Sequence, residues 1–296
     1  MQALWMLLAS FFFACMGVCI KFASAHFNSF EIVAYRGVVG MAVLLGLTRW
    51  QGVTLRTAVP WMHLWRSVVG TTSLTGWFYA IAVLPLATAM TLNYMSSVWI
   101  ATFLLGGALI VQGKGAPIRE QAPLFLTVLA GFAGVAMLLR PSFNEAQALG
   151  ALVGLLSGVF AALAYLQVAA LSRAGEPESR TVFYFSLGAA LAGFVGMLFS
   201  GFSAWHWPSA LWLLPIGLLA VLGQLCMTRA YAQGATMVVA NLQYAGIVFA
   251  ALFSITLFGD RLPLIGWLGM GLIVASGVAA TALRARAVPQ APAEEH

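Results

Sequence analysis

Charged side chains are scarce in this sequence: only 7% of its 296 residues are Asp, Glu, Lys or Arg, whereas 62% are hydrophobic. That is too little charge to cover a water-facing surface, so lipid must be the solvent for most of the chain. The net charge of +6 comes from lysines and arginines that stand singly between apolar segments. Because there is no basic run, this charge does not indicate nucleic-acid binding.

Cysteine is rare as well, and the sequence lacks motifs of catalysis. Cys15, Cys19 and Cys226 all fall in apolar segments, and we interpret them as small buried residues rather than metal ligands. Gly113-Lys114-Gly115 lacks the Ser or Thr that a phosphate-binding P-loop needs. The sequence contains no HExxH motif and no nucleophile with a plausible triad. We therefore expect neither an enzyme nor a bound cofactor or metal.

Long hydrophobic runs fill the sequence instead. A membrane-spanning helix needs about 20 mostly apolar residues, because its backbone polar groups find no water in the hydrocarbon core. By this criterion the chain is an all-α membrane protein with ten transmembrane segments. They cover approximately residues 3–24, 30–48, 64–84, 87–111, 122–139, 148–171, 180–200, 209–232, 235–258 and 263–282. The first segment has no basic region before it and is too long for a signal peptide, so we interpret it as a retained helix.

The basic residues favour one side of this topology. If the connections are taken alternately, ten of them fall on one side and four on the other. The first set is Arg49, Arg56, Arg66, Lys114, Arg119, Arg173, Arg180, Arg229, Arg284 and Arg286, and the second is Lys21, Arg36, Arg140 and Arg261. Because Lys and Arg are enriched in cytoplasmic loops, both termini are predicted to be cytoplasmic in a bacterial inner membrane. Residues 285–296 are expected to form a disordered cytoplasmic tail.

The sequence also contains an internal repeat. A shift of 150 residues aligns residues 80–103 with 230–253 and matches Tyr94 with Tyr244. The tyrosine match is informative, because the chain has only seven tyrosines.

The predicted repeats cover residues 1–141 and 148–284, with five helices each. Because five is odd, the second repeat must begin on the opposite side of the membrane from the first. Such inverted repeats place a substrate site at their interface near the midplane, and rocking of the two halves exposes it alternately.

Ionisable residues at helix depth are costly and are therefore candidates for function. Arg66 begins a stripe along the third segment through Gly70, Ser73 and Trp77, at spacings that share one helix face. The guanidinium either faces a polar cavity or extends to the cytoplasmic headgroups, and the sequence leaves both open.

Charged and polar residues supply three further candidates, which are Arg229, Gln224 and Glu31. Arg229 ends the eighth segment on a polar stripe with Gln224, and both could line the same cavity. Glu31 opens the second segment, where it either pairs with Lys21 or acts as a protonatable coupling residue. Asp260, the only aspartate, adjoins an arginine at a helix end, which favours local charge pairing and capping.

Amides and aromatic rings deep in the segments complete the candidate set. Asn93, Asn241 and Gln243 need hydrogen-bond partners in hydrocarbon, and they occupy matching places in the two repeats. The inner aromatic residues include Trp77, Tyr94, Tyr165 and Tyr244. Packing is the commoner role of any single ring, so these residues are candidates only.

The chain resembles the EamA-type transporters of the drug/metabolite transporter superfamily over nearly its whole length. The resemblance rests on Asn28-Ser29-Phe30-Glu31 with Tyr35-Arg36, His63 with Arg66, Trp77-Phe78-Tyr79 leading to Pro85 and Ala87-Thr88-Ala89, Ala230-Tyr231 through Ala235-Thr236, and Phe258-Gly259-Asp260-Arg261. It is most similar to the branch that includes S-adenosylmethionine uptake carriers and riboflavin or metallophore transporters. The stretch at residues 106–110 departs from the family pattern, because it lacks the acidic residue expected after the fourth helix.

The resemblance implies a central cavity lined by both repeats, with Arg36, Arg66, Trp77, Tyr94 and Tyr244 as candidates. We therefore predict a secondary transporter that moves a small metabolite by alternating access, with a zwitterionic or anionic substrate favoured by Arg36, Arg66 and Arg229. The predicted substrate-binding residues are Arg36, Arg66, Trp77, Asn93, Tyr94, Tyr165, Gln224, Arg229, Asn241, Gln243 and Tyr244, with Glu31 as a possible coupling residue. The alternative function is a non-transporting membrane scaffold, and either a monomer or a homodimer fits the sequence.

Overall fold

The computed structural model describes residues 2–100, 102–103, 145–234, 236–261 and 263–287, with scattered positions between 123 and 137. Several features of the sequence lie outside the described residues. These are the stretch at 106–110, Lys114, Arg119, Arg140, Ala235, the tail beyond residue 287, and the side chains of Asn241, Arg284 and Arg286.

Within the described ranges every regular element is a helix, as the sequence predicts. In chain order the helices are α1 (Gln2–Ala23), α2 (Ser29–Trp50), α3 (Pro60–Val83), α4 (Leu86–Tyr94), α5 (Glu145–Arg173), α6 (Glu178–Ser200), α7 (Trp207–Ala210), α8 (Leu213–Gln233), α9 (Thr236–Leu242), α10 (Ala245–Phe258) and α11 (Leu264–Ala287).

Within the described part of the chain, five helical stretches are long and apolar enough to cross a membrane. They are Ala3–Ala23, Ser29–Trp50, Gln147–Arg173, Glu178–Ser200 and Trp207–Gln233. Helix α3 is equally long, with 24 residues, but it is not among them. The reason lies in its sequence, which carries His63, Arg66 and a series of hydroxyl side chains. A long but polar helix of this kind is suited to line a site rather than to face lipid.

The structure divides the fourth and ninth predicted segments, which the sequence suggested were continuous. Helix α4 ends at Tyr94, and helical structure resumes at residues 96–100. Helices α9 and α10 are likewise separated by a turn at Gln243 and Tyr244. The two breaks pack against each other: a Cβ atom on Gly246 would lie 2.3 Å from the Tyr94 ring. Ser97 donates a hydrogen bond to the carbonyl of Ala240, which satisfies a polar group near the second break.

Helices from the first half of the chain pack mainly on helices from the second half. Helix α2 lies along α6, α3 along α5, and α1 along α8. The α2–α6 crossing depends on glycine, because a Cβ atom on Gly37 would lie 2.4 Å from the backbone nitrogen of Ala190. A Cβ atom on Gly193 would similarly lie 2.4 Å from the backbone nitrogen of Ala34. The interface between the halves therefore runs through the middle of the molecule.

Polar contacts define two ends of the bundle. At the Lys21 end, where α1 and α3 finish, Lys21 Nζ donates to the carbonyls of Ile81 at 2.9 Å, Ala82 at 3.3 Å and Leu84 at 2.6 Å. The alternative of a Lys21–Glu31 ion pair is therefore wrong, because the ammonium group caps α3 instead. At the opposite Glu176 end, the residues that follow α5 contact the beginning of α3. Helices α1 and α5 consequently run in opposite directions.

Candidate functional site

A central cavity brings together six of the predicted residues. Arg66, Trp77, Asn93, Tyr94, Tyr165 and Gln224 all line it. Its volume is about 40 Å³, enough for only one or two water molecules. Sites for small-molecule ligands usually have volumes of roughly 300–1,000 Å³. The cavity is therefore too small for a small-molecule ligand, and one could bind there only if the helices moved apart.

The predicted stripe on α3 faces this cavity. Arg66, Gly70, Ser73 and Trp77 all contribute to its wall. Arg66 is only 2% exposed, so its guanidinium faces the interior and does not extend to the headgroups. A Cβ atom on Gly70 would lie 1.9 Å from Arg66 Nη1. Glycine at this position therefore makes the space in which the guanidinium lies.

Two buried arginines share one aromatic ring beside the cavity. The Cζ atoms of Arg66 and Arg36 lie 4.0 Å and 5.1 Å from the centroid of the Phe185 ring, respectively. Arg66 Nη2 also donates to Gln224 Oε1 at 3.4 Å. The Nε and Nη1 atoms of both arginines are buried without a hydrogen-bond partner among the described residues. The site thus contains two like charges that the nearby side chains solvate incompletely.

The carboxylates that the structure describes are all engaged elsewhere. Those of Glu31, Glu176, Glu178 and Asp260 bind groups at the two ends of the bundle. Among the described residues, no carboxylate therefore lies within ion-pair distance of Arg36 or Arg66.

The predicted amides and tyrosines have different surroundings. Asn93 Nδ2 donates to Ser157 Oγ at 3.0 Å beside the cavity. Gln243 and Tyr244 do not line the cavity; they are buried where the broken helices meet, and within the described part of the chain Gln243 Nε2 and the Tyr244 hydroxyl have no partner. The Tyr94 hydroxyl also has none. Asn241 lies on α9, and its side chain is outside the described part of the chain.

Two other predicted residues lie at the ends of the bundle. Arg229 is partly exposed at the Glu176 end, where Nε donates to Glu178 Oε1 at 3.2 Å. Glu31 caps α2 at the Lys21 end and accepts hydrogen bonds from the backbone and hydroxyl of Ser203, at 2.7 Å and 2.6 Å. The structure therefore does not bring Arg229 or Glu31 to the central cavity.

Asp260 behaves as a capping residue. It follows α10, and its Oδ2 accepts a hydrogen bond from Ser254 Oγ at 2.5 Å. No ion pair with Arg261 is formed among the described residues, because the carboxylate turns back to the helix.

Sequence reasoning missed a network at the Glu176 end. The Glu176 carboxylate accepts a hydrogen bond from Thr57 Oγ1 at 2.8 Å and contacts His63 Nε2 at 3.0 Å and Arg180 Nη1 at 3.2 Å. Burial raises the pKa of Glu176, but these hydrogen bonds outweigh burial and hold it below its usual value. We call Glu176, Thr57, His63 and Arg180 the Glu176 latch, because they join the two halves of the chain. The long-range partners of Glu176 left no signal in the sequence.

Comparisons with known proteins are consistent with a transporter. The family described as EamA-like transporter family matches residues 1–140 and again residues 148–281. The chain is 37% identical to the pseudopaline exporter CntI of Pseudomonas aeruginosa over 249 residues, which is 82% of this chain and 83% of that protein. It is 26% identical to a riboflavin transporter of Vibrio cholerae over 286 residues, which is 93% of this chain and 90% of that protein. One crystal structure shares the fold, with a TM-score of 0.70 at 18% identity over 97% of this chain and 99% of that one.

Proposed function

This chain belongs to the EamA-like transporter family and is a multi-pass secondary transporter of small metabolites. We propose that it works by rocking of two inverted five-helix repeats around its central cavity. The repeats are those predicted at residues 1–141 and 148–284. The observation that carries the proposal is that the cavity wall comes from both halves. Arg66, Trp77 and Asn93 precede residue 141, whereas Tyr165 and Gln224 follow residue 148.

Inversion of the repeats is supported by helix direction. Helix α1 finishes at the Lys21 end, whereas its counterpart α5 finishes at the Glu176 end. The contacts of α1 with α8 and of α3 with α5 are equivalent under exchange of the halves. The helix breaks, at Met95 and at Gln243-Tyr244, also fall 148 to 149 residues apart, close to the repeat offset of 150. Discontinuous helices at a repeat interface are typical of substrate sites in secondary transporters.

Closure at both ends supports alternating access. The Glu176 latch joins the two halves at one end, and the hydrogen bonds from Ser203 to Glu31 join them at the other. A carrier must open these contacts one end at a time. Glu31 is thereby a candidate for coupling, because protonation would remove its negative charge and weaken the contacts with Ser203.

The Glu176 end is the proposed cytoplasmic face of a bacterial inner membrane. Arg173, Arg180 and Arg229 lie there, in agreement with the enrichment of basic residues in cytoplasmic loops. Both termini would then be cytoplasmic. The cationic cavity favours an anionic or zwitterionic metabolite.

Flux in proteoliposomes tests the function. We expect saturable uptake of at least one metabolite from a panel, with acceleration by the same metabolite on the opposite side. Tyr165→Ala should lower flux at least tenfold, because the ring forms part of the cavity wall. Trp61→Ala is the control, since Trp61 is 75% exposed and does not line the cavity. A folded protein that moves no member of the panel would instead favour the membrane scaffold.

A further inference from the structure

We propose that the Arg36–Phe185–Arg66 cluster is a dianion site, so that the transported metabolite carries two negative charges on groups that accept hydrogen bonds from both guanidinium groups. The inference rests on the proposed transport function and names the substrate class for the same cavity.

The two buried guanidinium groups need negative charge nearby. Arg36 and Arg66 are each only 2% exposed, and arginine stays protonated in proteins. Burial of an ion is costly unless an opposite charge accompanies it. The carboxylates that the structure describes are held at the ends of the bundle, so none of them supplies that charge. A bound metabolite would supply the negative charge that these described carboxylates do not.

Phe185 positions the two cations but does not neutralise them. The ring lies 4.0 Å from Arg66 Cζ and 5.1 Å from Arg36 Cζ, within the range of cation–π contacts. Because a ring quadrupole carries no net charge, the two guanidinium groups still repel each other. A ligand with two negative charges would remove that repulsion, whereas one with a single negative charge would leave one cation uncompensated.

The hydrogen-bonding capacity of the site also requires an acceptor-rich ligand. The Nε and Nη1 atoms of both arginines are unpartnered donors, and so is Trp77 Nε1. Two nearby acceptors are already engaged, because Gln224 Oε1 binds Arg66 and Ser157 Oγ binds Asn93, and the Tyr94 hydroxyl is a neutral acceptor that offers no counter-charge. A guanidinium fork matches the oxygens of carboxylate and phosphoryl groups. A zwitterion of zero net charge would bring a further cation into this set of donors.

Thermal shift with matched probes tests the charge requirement on detergent-solubilised full-length protein. Succinate, succinamate and succinamide are similar in size and carry two, one and no negative charges. Phenyl phosphate tests a phosphoryl group in place of two carboxylates. We expect succinate or phenyl phosphate to raise the melting temperature most, succinamate less, and succinamide not at all. A larger rise in melting temperature with succinate would indicate that the site binds carboxylates, and a larger rise with phenyl phosphate would indicate a phosphoryl group.

Variants connect the shift to the two arginines. Arg36→Gln and Arg66→Gln should each weaken dianion binding at least tenfold, whereas Arg49→Gln, an exposed arginine on the same helix as Arg36, should leave it unchanged. A second measurement needs no ligand: Arg36→Met should raise the melting temperature of the ligand-free protein, since it removes one of two like buried charges.

Three results would overturn the inference. These are equal shifts with succinate and succinamide, no shift with any probe, or dianion binding that persists in both arginine variants. If the flux panel then shows transport of a neutral or zwitterionic metabolite, the transport function stands and only the dianion site is wrong. If the panel shows no flux at all, the transport function itself fails.

Discussion

At the scale of single residues, Gly70 decides where the Arg66 guanidinium can lie. We expect Gly70→Ala to fold but to lose transport, because its Cβ atom would meet Arg66 Nη1 at 1.9 Å and the Phe185 ring at 2.8 Å. The flexible arginine would move away rather than unfold the helix. Since hydrogen bonds to charged groups contribute about 1.5–3 kcal/mol, the apparent affinity for substrate should fall roughly 10- to 100-fold. Flux measured as a function of substrate concentration checks this.

Gly46 provides the matched control for that substitution. It lies on α2, and an added Cβ atom would meet nothing within 4 Å. Gly46→Ala should therefore leave the substrate affinity unchanged. Equal losses in Gly46→Ala and Gly70→Ala would show that the effect comes from general helix perturbation and not from Arg66.

The sequence predicted some site residues well and others not at all, for a physical reason. The stripe from Arg66 to Trp77 follows from helix periodicity, which needs only local spacing. Phe185 was not singled out, because it is one of 20 phenylalanines and nothing local distinguishes it. The placement of Arg229 depends on Glu178, and that of Glu31 on Ser203. Partners so distant in the chain appear only when the helices are packed.

At the scale of helices and loops, the Glu176 latch holds the proposed cytoplasmic end closed. We expect Glu176→Gln to favour opening there, because the neutral amide loses the charged hydrogen bonds with His63 and Arg180. Cys226 lines a pocket at this end and is only 8% exposed. With Cys15 and Cys19 replaced by serine, its alkylation rate by a thiol reagent reports opening. The rate should rise about tenfold, as expected from loss of one charged hydrogen bond.

Glu178 is a suitable control for the latch. It lies two residues away and pairs with the partly exposed Arg229, a type of contact that contributes little. Glu178→Gln should therefore leave the latch closed and change the alkylation rate far less than Glu176→Gln does, although Glu178 lines the same pocket as Cys226. Similar rates in both variants and the parent protein would mean that Glu176 does not control access to this end.

Helix positions were easier to predict than helix breaks. Hydropathy placed α1, α2, α5, α6 and α8 within a few residues of their ends, because lipid imposes a minimum apolar length. The breaks beside Tyr94 and Tyr244 were missed, since apolar composition continues through both. Their polar neighbours, Asn93 and Gln243, were recognised as unusual, but the sequence alone did not show that the backbone turns there.

At the scale of the whole molecule, the proposed mechanism depends on the odd number of predicted helices in each repeat. Five helices per repeat require inversion, and inversion gives a carrier two related conformations, each open to one side. The opposite directions of α1 and α5 fit this requirement. Most of residues 104–144 lie outside the described residues, so the complete topology is a prediction from the sequence. A reporter fused to the C-terminus should be active in the cytoplasm.

A dianionic substrate also makes transport sensitive to membrane voltage. Over a full cycle the two arginines return to their starting positions, so the net charge moved is that of the substrate and any coupled ion. Each charge gains about 2.3 kcal/mol per 100 mV, hence roughly 5 kcal/mol for a dianion transported alone. An inside-negative potential would then drive export without a coupling ion.

In proteoliposomes loaded with a transported dianion, a potassium gradient with valinomycin that makes the interior negative should accelerate efflux. The reversed gradient should slow it, and valinomycin with equal potassium on both sides should give an intermediate rate, because potassium then leaves with the substrate and balances its charge. An efflux rate that does not change with the potential would show that cations accompany the substrate and cancel its charge.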